Sequence, residues 1–364
     1  ASEKLKLYAL AYRIDATADY DAGDAKDLQE TLLTKTGAQY QANEAWYTTL
    51  DFGFTDISGD AGWEGDSRVD SNRYKLSWAN TINLSERWDL AAGVQYEAED
   101  NHAGAGDRDE MSYYADNTFE VTPDLFITLG GRFDDNSVYG QNETWRSSFS
   151  YNISAINARL HGSYGSTFKA PTFYQLYNPT YGTPDLKAEQ GVAWDFGIEQ
   201  HLLDDRLVCD VTLFGNDITD KIDFVSKYEN IDSYQSHGLE SSVRWIASDK
   251  LILQANYSFT RAETGTSTVT PYRVPKHLFN LSANWSTLAG RLQLKPSIQH
   301  VAARNDYGEP LPSHTLLNLA GQYALNPQVT VWTRVNNLLN KDYQEINGYN
   351  SADFNITTGV KVEF

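Results

Sequence analysis

The last eleven residues of the chain, 354–364, place apolar side chains at nearly every second position, and the positions between them are polar or small. A β-strand turns successive side chains to opposite faces, so a period of two predicts a strand with one apolar face and one wet face. A membrane β-barrel has walls of such strands, because each strand meets lipid on one side and water on the other. A soluble edge strand shares the pattern, so its recurrence along the chain decides between them.

The same period recurs along the chain, with apolar residues at alternate positions and largely polar or small residues between them. We count about eighteen strands of roughly 10 to 13 residues, a length that lets a tilted strand cross a bilayer. Clear cases lie at 74–78, 88–96, 125–129, 145–153, 194–198, 251–259, 279–285 and 329–335.

The connections between these strands alternate between short and long, which is typical of outer-membrane barrels with short periplasmic turns and long outer loops. The sequence therefore predicts an all-β fold, a transmembrane antiparallel β-barrel with both chain ends on the periplasmic side. Short links are predicted at 85–87, 122–124, 248–250 and 326–327, and long ones at 99–108, 167–190, 216–230, 263–271 and 340–353.

Composition narrows the class of protein further. Mean hydropathy is −0.52 and no apolar run approaches the roughly 20 residues of a membrane helix, which excludes a helical membrane protein. The formal charge of −20 argues against a nucleic-acid partner, whose phosphates the chain would repel, and makes a divalent cation the more natural partner. We find no linker and no internal repeat, so residues 1–364 are interpreted as one barrel domain.

Four stretches of the sequence are distinctive, namely Phe168–Tyr177, Gly182–Glu189, Arg273–His277 and Val335–Tyr343. They resemble signatures of the TonB-dependent outer-membrane receptors. Two stretches, Tyr164–Pro171 and Asp342–Tyr349, carry a finer likeness, which within that family is greatest to the vitamin B12 (cobalamin) transporters. The sequence departs from the family at Thr183, where Asn is usual, and at Ala188, where Pro is common.

The resemblance implies a barrel of about 22 strands that follows an N-terminal plug domain, which carries the segment contacted by TonB. We expect this chain to be the barrel portion, without the plug and about the first four strands. An open sheet edge in lipid leaves backbone groups unsatisfied. Either the first strand, near 4–15, pairs with 354–364, or a second polypeptide or further sequence of the same product completes the barrel.

By resemblance we expect a receptor in the outer membrane of a Gram-negative bacterium, in contact with lipid, that takes up a large micronutrient with the help of a plug and TonB. Cobalamin or another corrinoid is the first choice of ligand. The alternatives are a siderophore or haem receptor of the same family and a plugless passive pore. Haem ranks lower because the long loop at 168–190 holds no histidine.

Candidate ligand contacts are aromatic and amide side chains in two long connections. Aromatic rings offer flat amphipathic surfaces to a large, partly apolar ligand. The alternative for any one of these rings is packing within its own loop. The candidates are Phe173, Tyr174, Tyr177 and Tyr181 in the first connection, and Asn347 and Tyr349 in the second.

Acidic residues crowd two neighbouring predicted loops near the start of the chain, and their carboxylates suit calcium, which takes six to eight oxygen ligands. The alternative is that they only keep the loops solvated. The candidate calcium ligands are Asp15, Asp21, Asp24 and Asp66.

An enzyme is not expected. Ser163 and His161 are two apart on a predicted strand and therefore only share a face, and no glycine pattern frames a nucleophile.

Overall fold

The computed structural model describes residues 4–19, 26–61, 67–101, 106–265 and 271–363. Within these ranges the chain forms eighteen strands of a main antiparallel sheet, a two-stranded hairpin (β16–β17), one five-residue α-helix and a 3-10 turn at Ser154–Ile156. The strands are β1 (Leu5–Asp19), β2 (Lys26–Asn43), β3 (Trp46–Ala61), β4 (Ser67–Ser85), β5 (Trp88–Asn101), β6 (Gly106–Thr122), β7 (Leu125–Asn136), β8 (Gly140–Ile153), β9 (Ala158–Lys169), β10 (Glu189–Leu202), β11 (Leu207–Phe224), β12 (Tyr228–Ser248), β13 (Leu251–Thr264), β14 (His277–Thr287), β15 (Leu292–Ala302), β16 (Arg304–Asp306), β17 (Glu309–Leu311), β18 (His314–Ala324), β19 (Val329–Asn336) and β20 (Asn355–Val362). The helix, α1, is Phe173–Tyr177.

The all-β antiparallel class expected from the alternation is confirmed. The chain divides into two compact units: unit 1 comprises residues 1–149, 165–191 and 220–231, and unit 2 comprises 150–164, 192–219 and 232–364. The interpretation of residues 1–364 as one domain stays a prediction.

In unit 1, strands β1 to β7 pair with their neighbours in sequence order, all antiparallel. Register places apolar residues opposite one another on a single face: Leu50 opposite Trp78, and Leu76 between Phe52 and Tyr96. Cross-strand pairs of this kind are the elementary stabilising contacts of a sheet. Their alignment produces a continuous apolar face across three strands.

This apolar face is the exposed one. Leu76 has 46% of its surface exposed, and Phe52 and Trp78 are exposed to a similar extent. The opposite face is polar, with the Asp51 carboxylate bound by the Tyr8 hydroxyl and by Lys35 at 3.3 Å. A water-soluble protein avoids so large an exposed apolar surface, whereas acyl chains solvate it without cost. This arrangement explains why apolar and polar residues alternate along each strand of the sequence.

In unit 2, strands β12 to β15 pair in order, β15 pairs with β18, and β18, β19 and β20 follow. The predicted short turns at 85–87, 122–124 and 248–250 each separate two paired strands. One predicted long connection, 216–230, is wrong, because β11 continues to Phe224 and β12 begins at Tyr228. Among the described residues, no helix has the length and apolar character needed to cross a membrane.

Candidate functional site

The long connection between β9 and β10 begins with α1, whose single turn is fixed by a capping box. The Thr172 hydroxyl accepts a hydrogen bond from the backbone N–H of Gln175 at 3.2 Å. The Gln175 side chain in turn accepts from the backbone N–H of Thr172 at 2.9 Å. Such reciprocal bonds satisfy backbone donors at the helix start that otherwise lack partners. The capping box at Thr172 and Gln175 therefore holds the two tyrosines of α1, Tyr174 and Tyr177, in a defined turn.

An apolar centre anchors this connection to strand β11. Leu176, Leu186 and Ile222 are buried together, and Tyr228 packs against them. The Glu189 carboxylate accepts from the backbone N–H of Ile222 at 3.0 Å and from Lys169 Nζ at 3.2 Å. The connection is thus a packed structure with a small core of its own.

The four predicted aromatic contacts in this connection have different surroundings. Phe173 is 7% exposed and lies under the Arg108 guanidinium, 4.6 Å from the ring centre, so it packs inside the loop. Tyr181 packs edge-on against Phe224 at 5.5 Å. Tyr174 and Tyr177 remain 40% and 39% exposed. Of the four, these two are the most exposed.

Two aromatic residues of this site were missed in the sequence. Phe224 and Tyr228 lie 5.3 Å apart, and Tyr228 also meets Tyr174 edge-on at 5.9 Å. Both belong to the segment 216–230, which was predicted to be a long connection. The period-two pair Ile222 and Phe224 was the available signal that β11 continues. We call Tyr174, Tyr177, Tyr181, Phe224 and Tyr228 together the aromatic patch of unit 1.

A cavity of about 360 Å³ lies behind the connection, lined in part by Tyr139, Pro171 and Leu186. The Tyr139 hydroxyl donates to Glu110 at 2.7 Å. Burial, together with this hydrogen bond to a carboxylate, raises the pKa of Tyr139 above its ordinary range. Tyr139 therefore stays a neutral donor at any physiological pH.

The other two predicted ligand contacts lie in unit 2, in the connection between β19 and β20. The backbone N–H of Asn347 donates to the Asp306 carboxylate at 2.8 Å, and Tyr349 is exposed. Asp306 is only 1% exposed and also accepts from Arg273 at 2.8 and 3.3 Å. The hydrogen bond from Arg273 is the main cause that lowers the pKa of Asp306, so this carboxylate stays ionised in mildly acidic solution.

The same connection is held by a second buried charge. Arg304 is buried, forms an ion pair with Glu345 and donates to the backbone carbonyl of Gln344 at 3.0 Å. Beside it, the His314 ring lies 4.6 Å from the ring of Tyr343. His314 and Tyr343 line a cavity of about 640 Å³. Two side chains of the three-residue strand β16 thus hold the connection at neighbouring points.

The side chain of Asn337 joins the start of this connection to its end through hydrogen bonds to the backbone. Its side-chain carbonyl accepts from the backbone N–H of Lys341 at 2.8 Å, and its amide donates to the carbonyls of Lys341 and Ala352 at 2.9 and 3.3 Å. A buried amide that satisfies three backbone groups fixes the path of the chain around it.

One of the four proposed calcium ligands, Asp15, lies at a different place in the fold from the one expected. Asp15 lies within strand β1, not in a loop, and forms an exposed ion pair with Arg13 at 3.0 Å. Asp21, Asp24 and Asp66 lie outside the described residues. Among the residues that the structure does describe, no three His, Cys, Asp or Glu side chains are grouped as a metal site. Calcium binding stays a prediction.

A family model described as TonB dependent receptor-like, beta-barrel, matches residues 5–338. The chain is similar to the vitamin B12 transporter BtuB of Vibrio cholerae, with 25% identity over 370 residues, which cover 96% of this chain and 59% of the relative. The corresponding protein of Vibrio vulnificus is 27% identical over 293 residues, 75% of this chain and 46% of the relative. The chain thus spans about three fifths of the V. cholerae relative's length.

Solved structures share the fold at lower identity. The copper transporter OprC has a TM-score of 0.84 at 12% identity, over 100% of this chain and 70% of that one. The siderophore receptor PirA from Acinetobacter baumannii has a TM-score of 0.84 at 15% identity, over 100% of this chain and 69% of that one. At these identities the likeness concerns the fold alone.

Proposed function

Because the chain belongs to the TonB-dependent receptor-like β-barrel family, we propose that it is the barrel portion of a receptor that takes up cobalamin or another corrinoid. Members of this family are outer-membrane receptors and transporters of Gram-negative bacteria, not enzymes, and they bind small-molecule ligands and TonB. The outer-membrane location and the non-enzymatic class expected from the sequence are thereby confirmed.

The observation that carries the corrinoid proposal is the aromatic patch of unit 1. Its exposed rings lie on a packed loop. A large ligand with apolar edges binds more tightly to aromatic surface that is already ordered, because less conformational entropy is lost on binding. The similarity to vitamin B12 transporters over 96% of the chain supports the same class of ligand.

Charge supports a corrinoid over a ferric siderophore. The chain has a formal charge of −20, so an anionic iron complex approaches against a repulsive field, whereas an uncharged corrinoid does not. Siderophore receptors among the structural relatives share only the fold at about 15% identity. A siderophore remains the second candidate.

We include in the proposal a plug domain and TonB for active uptake. The plug and the remaining strands come from sequence beyond these 364 residues, in the same polypeptide or in a second one. Calcium held by Asp15, Asp21, Asp24 and Asp66 is a further part of the proposal, since it would order neighbouring acidic segments.

The receptor is expected to bind cyanocobalamin, and Tyr174→Ala is expected to weaken binding about tenfold, because it removes one accessible ring from the patch. The measurement is equilibrium binding of radiolabelled cyanocobalamin to outer membranes that contain the receptor, with and without calcium.

Tyr96→Ala is the matched control, since Tyr96 is equally exposed but lies on the apolar face of β5, and it is expected to leave affinity unchanged. No binding by the unsubstituted receptor in either condition would refute the corrinoid proposal. A large steady conductance of the completed receptor in a planar bilayer would favour a passive pore instead.

A further inference from the structure

Two tyrosines from different connections of unit 2 form an exposed pair. Tyr272 lies between β13 and β14, and Tyr307 lies at the tip of the β16–β17 hairpin. Their ring centres are 4.7 Å apart with the planes tilted by 37°. Tyr272 is 48% exposed and Tyr307 is 73% exposed. Together they offer ring surface to solvent, and neither residue belongs to the aromatic patch of unit 1.

The backbone beneath these rings adopts a conformation that bulky side chains avoid. Tyr307 has φ of 49° and is followed by Gly308 with φ of 88°, in the two-residue turn between Asp306 and Glu309. Such turns favour Asn followed by Gly, because both positions require positive φ. A tyrosine there is unfavourable locally, and residues in such conformations cluster at functional sites. Arg273, next to Tyr272, also has positive φ, at 63°.

An ion pair between the exposed Arg273 side chain and the buried Asp306 carboxylate supports the two rings. The guanidinium of Arg273 lies 5.6 Å from the centre of the Tyr307 ring and binds Asp306 through two hydrogen bonds. The backbone N–H of Arg273 donates to the carbonyl of Asn305 at 2.8 Å, which joins the two connections directly. The rings are therefore held in place before any ligand arrives.

We propose that Tyr272 and Tyr307 form a second ligand-contact platform, which receives the face of a large uncharged macrocycle of the corrinoid class. This inference rests on the proposed function and adds a second contact site to it. The charge of Arg273 is already matched by Asp306, so the platform offers ring faces and phenol hydroxyls rather than a free cation for an anionic ligand.

The platform is tied to a contact expected from the sequence. Asp306 binds both Arg273, beneath the platform, and the backbone N–H of Asn347. One buried carboxylate therefore fixes the position of the platform relative to the connection that contains Asn347 and Tyr349.

Tyr307→Asn is the informative substitution, because asparagine suits the turn better than tyrosine and removes only the ring. We expect the melting temperature to be unchanged or higher, while affinity for cyanocobalamin falls about tenfold. Tyr307→Phe is expected to stay within about threefold of the unsubstituted receptor. The measurement is equilibrium binding of cyanocobalamin to the purified receptor, with thermal unfolding recorded in parallel.

Leu203→Asn is the matched control, since Leu203 is exposed, has φ of 56° and lies in the short turn between β10 and β11. This substitution relieves the same kind of backbone strain at positive φ without removing a platform ring, so affinity for cyanocobalamin should not change. If Tyr307→Asn lowers the melting temperature, the affinity of Tyr272→Leu tests the platform instead, because this substitution removes a ring and leaves the hairpin turn intact. A tenfold loss there supports the platform, and unchanged affinity overturns it.

The outcomes separate this inference from the proposed function. Binding by the unsubstituted receptor with equal binding by Tyr307→Asn and Tyr272→Leu overturns the platform alone. No cyanocobalamin binding by the unsubstituted receptor overturns the proposed function and the platform with it. Binding of a ferric catecholate that depends on Tyr307 overturns the uncharged-macrocycle assignment.

Discussion

Leu76→Arg is expected to destabilise the folded protein in a phospholipid bilayer by about 2–4 kcal/mol, the cost of an arginine on the lipid face near the midplane of a membrane β-barrel. Leu76 lies near the middle of β4, between Phe52 and Tyr96 on the exposed apolar face. The guanidinium replaces an apolar side chain in hydrocarbon, where it has neither water nor a counter-charge. Urea titration of folding into phospholipid vesicles measures the change.

Ser77→Arg is the control for this substitution. Ser77 is the next residue on the same strand, opposite Asp51 and Gln95 on the polar face. An arginine there meets a carboxylate and water, so we expect a change within about 1 kcal/mol. Equal destabilisation by both substitutions would mean that the two faces do not differ in their surroundings.

Asn337→Gly is expected to lower the local stability of the connection between β19 and β20. The substitution removes three side-chain hydrogen bonds to backbone groups, each worth about 1 kcal/mol, so the connection should lose about 3 kcal/mol of local stability. Glycine tolerates the positive φ of 50° at this position, so backbone strain does not contribute. Hydrogen exchange at the Lys341 amide reports the loss.

Asn340→Gly provides a matched comparison within the same connection. Asn340 has φ of 48° and accepts a single side-chain hydrogen bond, from the backbone N–H of Phe354 at 2.8 Å. It is exposed, so we expect about one third of the effect or less. If Asn340→Gly accelerated exchange as much as Asn337→Gly, the buried amide would not be the closing contact. Ligand affinity should follow the same order, because this connection carries Asn347 and Tyr349.

Strand positions in the membrane-facing part of the chain could be predicted, because lipid imposes the alternation directly on the sequence. The last strand was expected at 354–364 and is observed at Asn355–Val362. Prediction failed where strands continue past the apolar region. Asp15 was assigned to a loop yet lies in β1, and β12 runs for 21 residues. Beyond the lipid both faces of a strand meet water, so the period-two signal disappears while backbone pairing continues.

The candidate site could be predicted only in part, since its geometry depends on contacts between segments that are distant in sequence. The sequence showed that the connection after β9 is rich in aromatic rings. It did not show that Arg108 covers Phe173, or that Tyr228 meets Tyr174. The contacts of Asp306 with Arg273 and Asn347 could not be predicted either. Arg273 is 33 positions before Asp306 and Asn347 is 41 positions after it, and nothing in a single sequence links residues so far apart.

The central claim is that one face of the sheet contacts lipid and the other contacts water, and spin-label accessibility along β4 tests it most directly. With Cys209 replaced by serine, a nitroxide is placed in turn at each residue from 73 to 79, and its collisions with dissolved oxygen and with a water-soluble nickel complex are measured in a bilayer. Labels at Tyr74, Leu76 and Trp78 should meet mainly oxygen, and those at Lys75 and Ser77 mainly nickel. Equal access to nickel at all seven positions would contradict the account.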